Sequence, residues 1–359
     1  MTRSPETRNS ARNPKCSTRL KYVLRCSSIE SCTSGILYRF QNQSRMVVMS
    51  HQRSIREKVG SKTVESFFEG LSFASKMTPR ARRELNSLFI ERDIKYGSMP
   101  DHTLDIYHPV KPPKGIVVYV HGGGFRILSK DTHWIMGLGF ARRGYRVYNL
   151  NYRLAPKHPY PSALEDLALG LEWIRARDSK LGKLPLVFAG ESAGANLVSA
   201  TTLAACKRFS EPFAEEIFEL GVRPDAVLAN CGVLQVSDWP RFARRKNISK
   251  FVEERLKEVS LAYLPDDRPG TLADPLLILE QERAWERPLP PFFSSVGTKD
   301  PLLDDTRRLD RALRDLGVYS DSRIYPGEVH AFHAFIWREQ ALRCWTDQFA
   351  FLDRALHLE

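Results

Sequence analysis

From about residue 60 onward the hydrophobic and polar positions follow regular periods. Val64, Phe67, Phe68 and Leu71 recur at helical spacing, and Thr78-Pro79 reads as the N-cap and first residue of a second helix. Two short amphipathic helices therefore precede any strand. Leu104 and Ile106 then alternate with Asp105 and Tyr107, and the unbroken run Ile116-Val117-Val118-Tyr119-Val120 predicts a strand buried on both faces. Beyond it, strand signals near 145–152, 184–189, 225–230, 291–297 and 319–325 are interspersed with helical ones. The helices fall near 131–143, 161–177, 193–206, 303–316 and 336–356, two of them stopped by Gly144 and Gly317. Such alternation predicts an open α/β fold, a mostly parallel central sheet with helices on both faces. Residues 207–290 are less regular and richer in aromatics and Pro, and part of that span is read as an insertion over the sheet.

With 359 residues, 42% of them hydrophobic and 27% charged, the chain has the composition of a soluble globular protein. It is long enough to build a core without disulfides or a structural metal. No uncharged apolar run approaches the roughly 20 residues of a bilayer crossing, which excludes a membrane span. The net charge of +12 invites a nucleic-acid reading, but residues 1–59 hold 12 Lys and Arg against three Asp and Glu. The remaining 300 residues are thus nearly neutral, and no nucleic-acid partner is expected. Residues 1–50 are rich in Ser, Arg, Asn and Thr without periodicity, and are read as a disordered basic leader or a start codon assigned too early, with Met46 or Met49 as the real start. The remainder, 51–359, is read as a single domain. Cys206, Cys231 and Cys344 form no C-x-x-C pair and read as small buried hydrophobes in a reducing, cytoplasmic setting.

The chemistry concentrates in four places. Gly190-Glu191-Ser192-Ala193-Gly194 is a G-x-S-x-G between a predicted strand and a predicted helix, a turn so tight that the Ser is held at the carboxyl end of the sheet. His121-Gly122-Gly123-Gly124-Phe125 follows the buried strand, and three adjacent glycines allow backbone N–H groups to approach a substrate oxygen, as an oxyanion hole requires. A phosphate-cradling loop is the alternative, but neither G-x-x-x-x-G-K-[ST] nor G-x-G-x-x-G is present. A Ser hydroxyl is a weak nucleophile and needs a His to take its proton and a carboxylate to orient that His. Asp300, at the end of one predicted strand, and His330, in the loop after the next, supply those types at the sheet edge where open α/β folds place their sites. Asp304 and Asp305 compete with Asp300 but read as acids capping the following helix. His333 reads as a helix-start residue or a pocket wall. His108, His133, His158 and His357 belong to no motif and read as structural or surface residues. Glu191 is turned away from Ser192 by its place in the turn.

With these residues in place, the chain resembles the hormone-sensitive-lipase-like branch of the α/β-hydrolases, bacterial esterases with HGGG and G-[DE]-S-A-G. The likeness extends to Tyr152-Arg153-Leu154-Ala155-Pro156, His158-Pro159, Leu164-Glu165-Asp166 and Asp300-Pro301-Leu302, and it runs from about residue 60 to the end. It implies a catalytic triad of Ser192, Asp300 and His330, with an oxyanion hole from the N–H groups of Gly123, Gly124 and Ala193. It also implies a helical cap from about 55–90 and part of 207–290, with Phe125, Glu191 and Phe213 expected at the substrate. Ala195, Ala331 and Lys157 depart from the family pattern and bear on substrate range. The expected activity is hydrolysis of short- to medium-chain acyl esters without metal or cofactor. The alternatives are an amidase or deacetylase with the same triad, or a non-catalytic small-molecule receptor. Relatives in this family often dimerise, so a homodimer is a further expectation.

Overall fold

The computed structural model describes residues 62–244, 248–266 and 269–358; the leader expected over residues 1–50 lies outside the described residues. Eight strands form one sheet: β1 (Phe89–Lys95), β2 (Thr103–His108), β3 (Gly115–Val120), β4 (Tyr145–Leu150), β5 (Leu186–Glu191), β6 (Ala226–Asn230), β7 (Phe292–Gly297) and β8 (Ser320–Tyr325). They lie in the order β1-β2-β4-β3-β5-β6-β7-β8, with β1 and β2 antiparallel to their neighbours and the rest parallel. Around them run α1 (residues 62–76), α2 (Pro79–Asn86), α3 (Trp134–Arg142), α4 (Ser162–Arg177), α5 (Ala193–Cys206) and α6 (Pro212–Leu220). The chain continues through α7 (Pro240–Ala243), α8 (Lys250–Tyr263), α9 (Pro275–Gln281), α10 (Leu303–Asp315) and α11 (Glu339–Ala355). No helix among the described residues is long and apolar enough to cross a membrane.

The central strands are apolar throughout because both faces are covered. Ile116, Val118 and Val120 of β3 join the core that holds Leu164, Leu167 and Leu171 of α4 and Leu197 of α5; Val117 and Tyr119 join Phe140 of α3 and Phe349 and Leu352 of α11. The side-chain period of two thus feeds two separate cores from one strand. Helix α5 is buried at all 14 positions. Its Gly, Ala, Ser and Thr residues make it slim enough to lie against the sheet, and Ser199, Thr201 and Thr202 satisfy their hydroxyls on carbonyls four residues back.

Two findings modify the sequence reading. Strand β1 went unpredicted because it is an edge strand bearing Glu91, Arg92, Asp93 and Lys95, and its register shifts between Glu91 and Ile94, which breaks the alternation. Helix α2, N-capped by Thr78 as expected, does not belong to a cap: Ala81 and Leu85 pack beside Tyr107 and Trp134, and Glu84 pairs with Arg142 of α3. Within 207–290, α6 likewise sits in the core through Phe213, Ala214 and Ile217, and α8 is the helix of that span whose side chains reach the cavity described below.

Strand β3 lies between β4 and β5, so the connections leaving β3 and β5 diverge to opposite sides, the arrangement that opens a crevice at the carboxyl ends of the strands. Val120 is paired with Gly190, which sets the three-glycine loop directly beside the G-x-S-x-G turn. On the other side β7 and β8 are neighbours, with Gly297 opposite Tyr325, so the loops carrying Asp300 and His330 also meet.

Candidate active site

Ser192 occupies a sharp turn between β5 and α5 with φ 54° and ψ −115°, a conformation that L-residues seldom adopt. The turn closes only because a Cβ is missing on both sides of it. A Cβ on Gly194 would collide with the Val120 carbonyl, and one on Gly190 would lie 2.5 Å from the backbone of Gly194. The strain holds the Ser192 hydroxyl out of the sheet and above the start of α5, where the first helical amides point.

His330 bridges the other two residues. Its Nε2 is 3.0 Å from Ser192 Oγ and its Nδ1 is 2.9 Å from Asp300 Oδ2. A carboxylate can only accept, so Nδ1 carries a proton, and in the neutral imidazole Nε2 is left to accept from the hydroxyl. Asp300 is buried, and its second oxygen accepts from the Leu302 amide at 2.8 Å, which fixes the carboxylate plane. Burial is the largest single influence and pulls the His330 imidazole down, but the Asp300 charge, Cys231 and the hydrogen bonds to both together hold the group well above its ordinary value of 6.5. Cys231, fully buried after β6, was read from sequence as a bland hydrophobe. Its thiol belongs with Asp300 and His330 to a group whose donor atoms all lie within 4.8 Å of one another. Burial pushes that thiol up, which favours its protonated form.

The three-glycine loop is strained along its length. Gly123, Gly124, Phe125 and Leu128 have φ of 115°, 59°, 61° and 70°. A Cβ on Gly123 would strike the Ile127 carbonyl, whereas Phe125 holds its left-handed conformation with a full side chain, at a cost of roughly 1–2 kcal/mol. Behind the loop, the Tyr152 hydroxyl donates to the His121 carbonyl at 3.0 Å, and Arg153 is bound by Asp166 and Glu165. The Tyr152–Asp166 motif thus buttresses the loop. Gly123, Gly124, Ser192 and His330 line one cavity of about 320 Å³. Ala193 stands at the first position of α5, where a backbone amide has no partner within the helix.

Several expectations need correction. Phe125 is buried away from the cavity, stacked on Tyr263 with ring centroids 3.7 Å apart. Phe213 is also buried in the core, edge-on to Tyr160, and does not line the cavity. Glu191 borders it, but its carboxylate is taken: Oε1 accepts from His133 Nε2 at 2.8 Å and Oε2 faces His333 Nε2 in an ion pair. Burial alone would raise Glu191, yet His333 and His133 hold it well below the usual carboxylate range. His133 is thus a buried structural residue, one of the two roles expected of it, while His333, in the short 3-10 helix Phe332–Ala334, faces Glu191 and does not line the cavity. Asp305 caps nothing; it is buried, accepts from the Leu234 amide and pairs with Arg241, tying α10 to the loop after β6. Lys157 is exposed and does not line the cavity. Replacing Glu191 by Leu removes the anion from a buried pair and should cost about 3–5 kcal/mol in unfolding free energy, read by urea denaturation.

The cavity wall is mostly apolar. Val64 and Phe68 of α1, Ile135 and Met136 of α3, and Val252, Leu256 and Val259 of α8 surround Ser192. Besides Glu191, its lining carries Arg126, Arg255 and Glu258, and Glu258 is paired with both arginines.

A family model described as alpha/beta hydrolase fold matches residues 117–334. A carboxylesterase, NlhH, of Mycobacterium tuberculosis is 30% identical over 277 residues, covering 74% of this chain and 82% of that protein. An acetyl esterase of Salmonella dublin is 28% identical over 254 residues, covering 65% and 69%. Among solved structures, an esterase from the bacterial hormone-sensitive lipase family superposes with TM-score 0.61 at 25% identity, covering 81% of this chain and 98% of that one. The esterase LipW from Mycobacterium marinum gives 0.67 at 24%, covering 82% and 90%, a likeness of fold. Motifs, strand order and relatives agree: the chain belongs to the α/β-hydrolase family, in its hormone-sensitive-lipase-like branch of carboxylic ester hydrolases.

Proposed function

We propose that the protein hydrolyses short- to medium-chain acyl esters through an acyl-enzyme on Ser192. The observation that carries this is the position of His330, within hydrogen-bond distance of Ser192 Oγ on one side and Asp300 on the other. In the first half-reaction Ser192 Oγ attacks the ester carbonyl while His330 Nε2 takes its proton. The amides of Gly123, Gly124 and Ala193 receive the oxyanion. Collapse of the tetrahedral intermediate breaks the bond to the alkoxy group, which leaves as the alcohol with the proton from His330. Water then enters, gives a proton to the same nitrogen and attacks the acyl-enzyme; the acid departs and Ser192 recovers its proton. Asp300 remains ionised and stabilises the imidazolium. The acetyl esterases and carboxylesterases among the relatives support an ester substrate, and a cavity of about 320 Å³ supports a small acyl group.

A common acyl-enzyme partitions between water and an added alcohol independently of how it was formed. With methanol present, phenyl, p-nitrophenyl and ethyl butyrate should give one ratio of methyl butyrate to butyrate. A ratio that changes with the leaving group contradicts the intermediate. In the p-nitrophenyl series, kcat/KM should fall sharply between butyrate and palmitate, and an undiminished palmitate rate would contradict the assigned chain length.

A further inference from the structure

We infer that α8 positions the oxyanion loop, through Tyr263 stacked on Phe125 and Glu258 paired with Arg126, so that the helix over the cavity controls turnover as well as substrate fit. This rests on the assignment of Gly123 and Gly124 as oxyanion donors made above. Three consecutive residues of the loop meet three residues of one helix face. The Gly124 Cα approaches Val259 so closely that a Cβ there would lie 2.6 Å from Cγ2. The Phe125 ring lies flat on Tyr263, 3.7 Å between centroids and 5° between planes. The Arg126 guanidinium meets the Glu258 carboxylate, which is itself buried and also paired with Arg255.

These contacts answer a need that the backbone creates. Phe125 adopts φ 61° with a bulky side chain, a conformation that persists only where its surroundings over-determine it. On the sheet side one backbone bond restrains it, from the Ala155 amide to the Phe125 carbonyl at 2.8 Å. The ring itself is held by α8. Without that stack the Phe125 dihedral is free to relax, and it is one residue from the Gly124 amide. Oxyanion donors act by being fixed before charge develops, so a loosened donor weakens the transition state more than the bound ester. Tyr263 is fully buried and outside the cavity lining, so its effect on chemistry must pass through Phe125.

The test uses the full chain with p-nitrophenyl butyrate and a trifluoromethyl ketone that mimics the tetrahedral adduct. Tyr263→Ala and Glu258→Gln should each lower kcat about 10- to 100-fold with KM changed less than threefold, and should weaken the ketone in proportion to the loss in kcat/KM. Tyr263→Phe keeps the ring and should retain kcat. Glu258→Asp keeps a carboxylate at the position shared by Arg126 and Arg255 and should recover much of what Glu258→Gln loses. Folding is checked by the urea midpoint, so that a variant that merely unfolds is told apart. A folded Tyr263→Ala enzyme with wild-type kcat and ketone affinity overturns the inference while leaving the triad intact. Failure of the triad instead shows as full activity in Ser192→Ala.

Discussion

Ser192→Ala should lower kcat for p-nitrophenyl butyrate by about 10⁶-fold while leaving KM within a few-fold of wild type. The expected loss is large because, in the proposed mechanism, this residue supplies the atom that becomes covalently bonded. Cys231 is the nearest nucleophile type by chemistry, but its thiol is fully buried and pushed upward, so it offers no thiolate to the ester. The rate that survives should be that of water attacking an ester held against the oxyanion amides, and it should no longer be blocked by a fluorophosphonate. Because residue 192 is the strained position of the turn, a methyl group in place of the hydroxymethyl keeps the fold, and the urea midpoint should stay close to wild type. A variant that retained one-hundredth of wild-type activity would place the nucleophile elsewhere.

Asp300→Asn should cost about 10⁴-fold in kcat. An amide at this position can donate to His330 Nδ1, which moves the imidazole proton to Nε2 and leaves no lone pair facing Ser192. The same substitution removes the charge that holds His330 above its ordinary value. The sign of the pH dependence follows. The reaction needs neutral His330, so wild-type kcat/KM should rise as pH increases through a midpoint above 6.5, and the midpoint in Asp300→Asn should move down. An unchanged midpoint would mean that Asp300 does not govern this imidazole.

Much of this site was legible because its chemistry is written in short motifs. A G-x-S-x-G between strand and helix has few uses other than projecting a side chain, and Ser192, Asp300 and His330 each follow a strand. What stayed hidden depends on contacts distant in sequence. Nothing near residue 191 signals that Glu191 will be enclosed by His133 and His333, 58 and 142 residues away, and a carboxylate beside the Ser was therefore assigned to substrate. Phe125 and Phe213 were placed at the substrate because aromatic residues near a loop or a cap suggest a pocket, yet both bury their rings in packing against tyrosines. Strand β1 was missed because an edge strand with a bulge has neither alternation nor an apolar run. The division of 207–290 between core and cavity was illegible because α6 and α8 are both amphipathic, and only the third dimension tells which apolar face meets the sheet.

The most direct test is to react the protein with a fluorophosphonate and locate the adduct by peptide mass spectrometry, alongside His330→Ala. One phosphonyl group per chain, on Ser192, with labelling slowed at least 1,000-fold in the variant, is the predicted result. An adduct on any other residue, or equally fast labelling without the imidazole, would contradict the account.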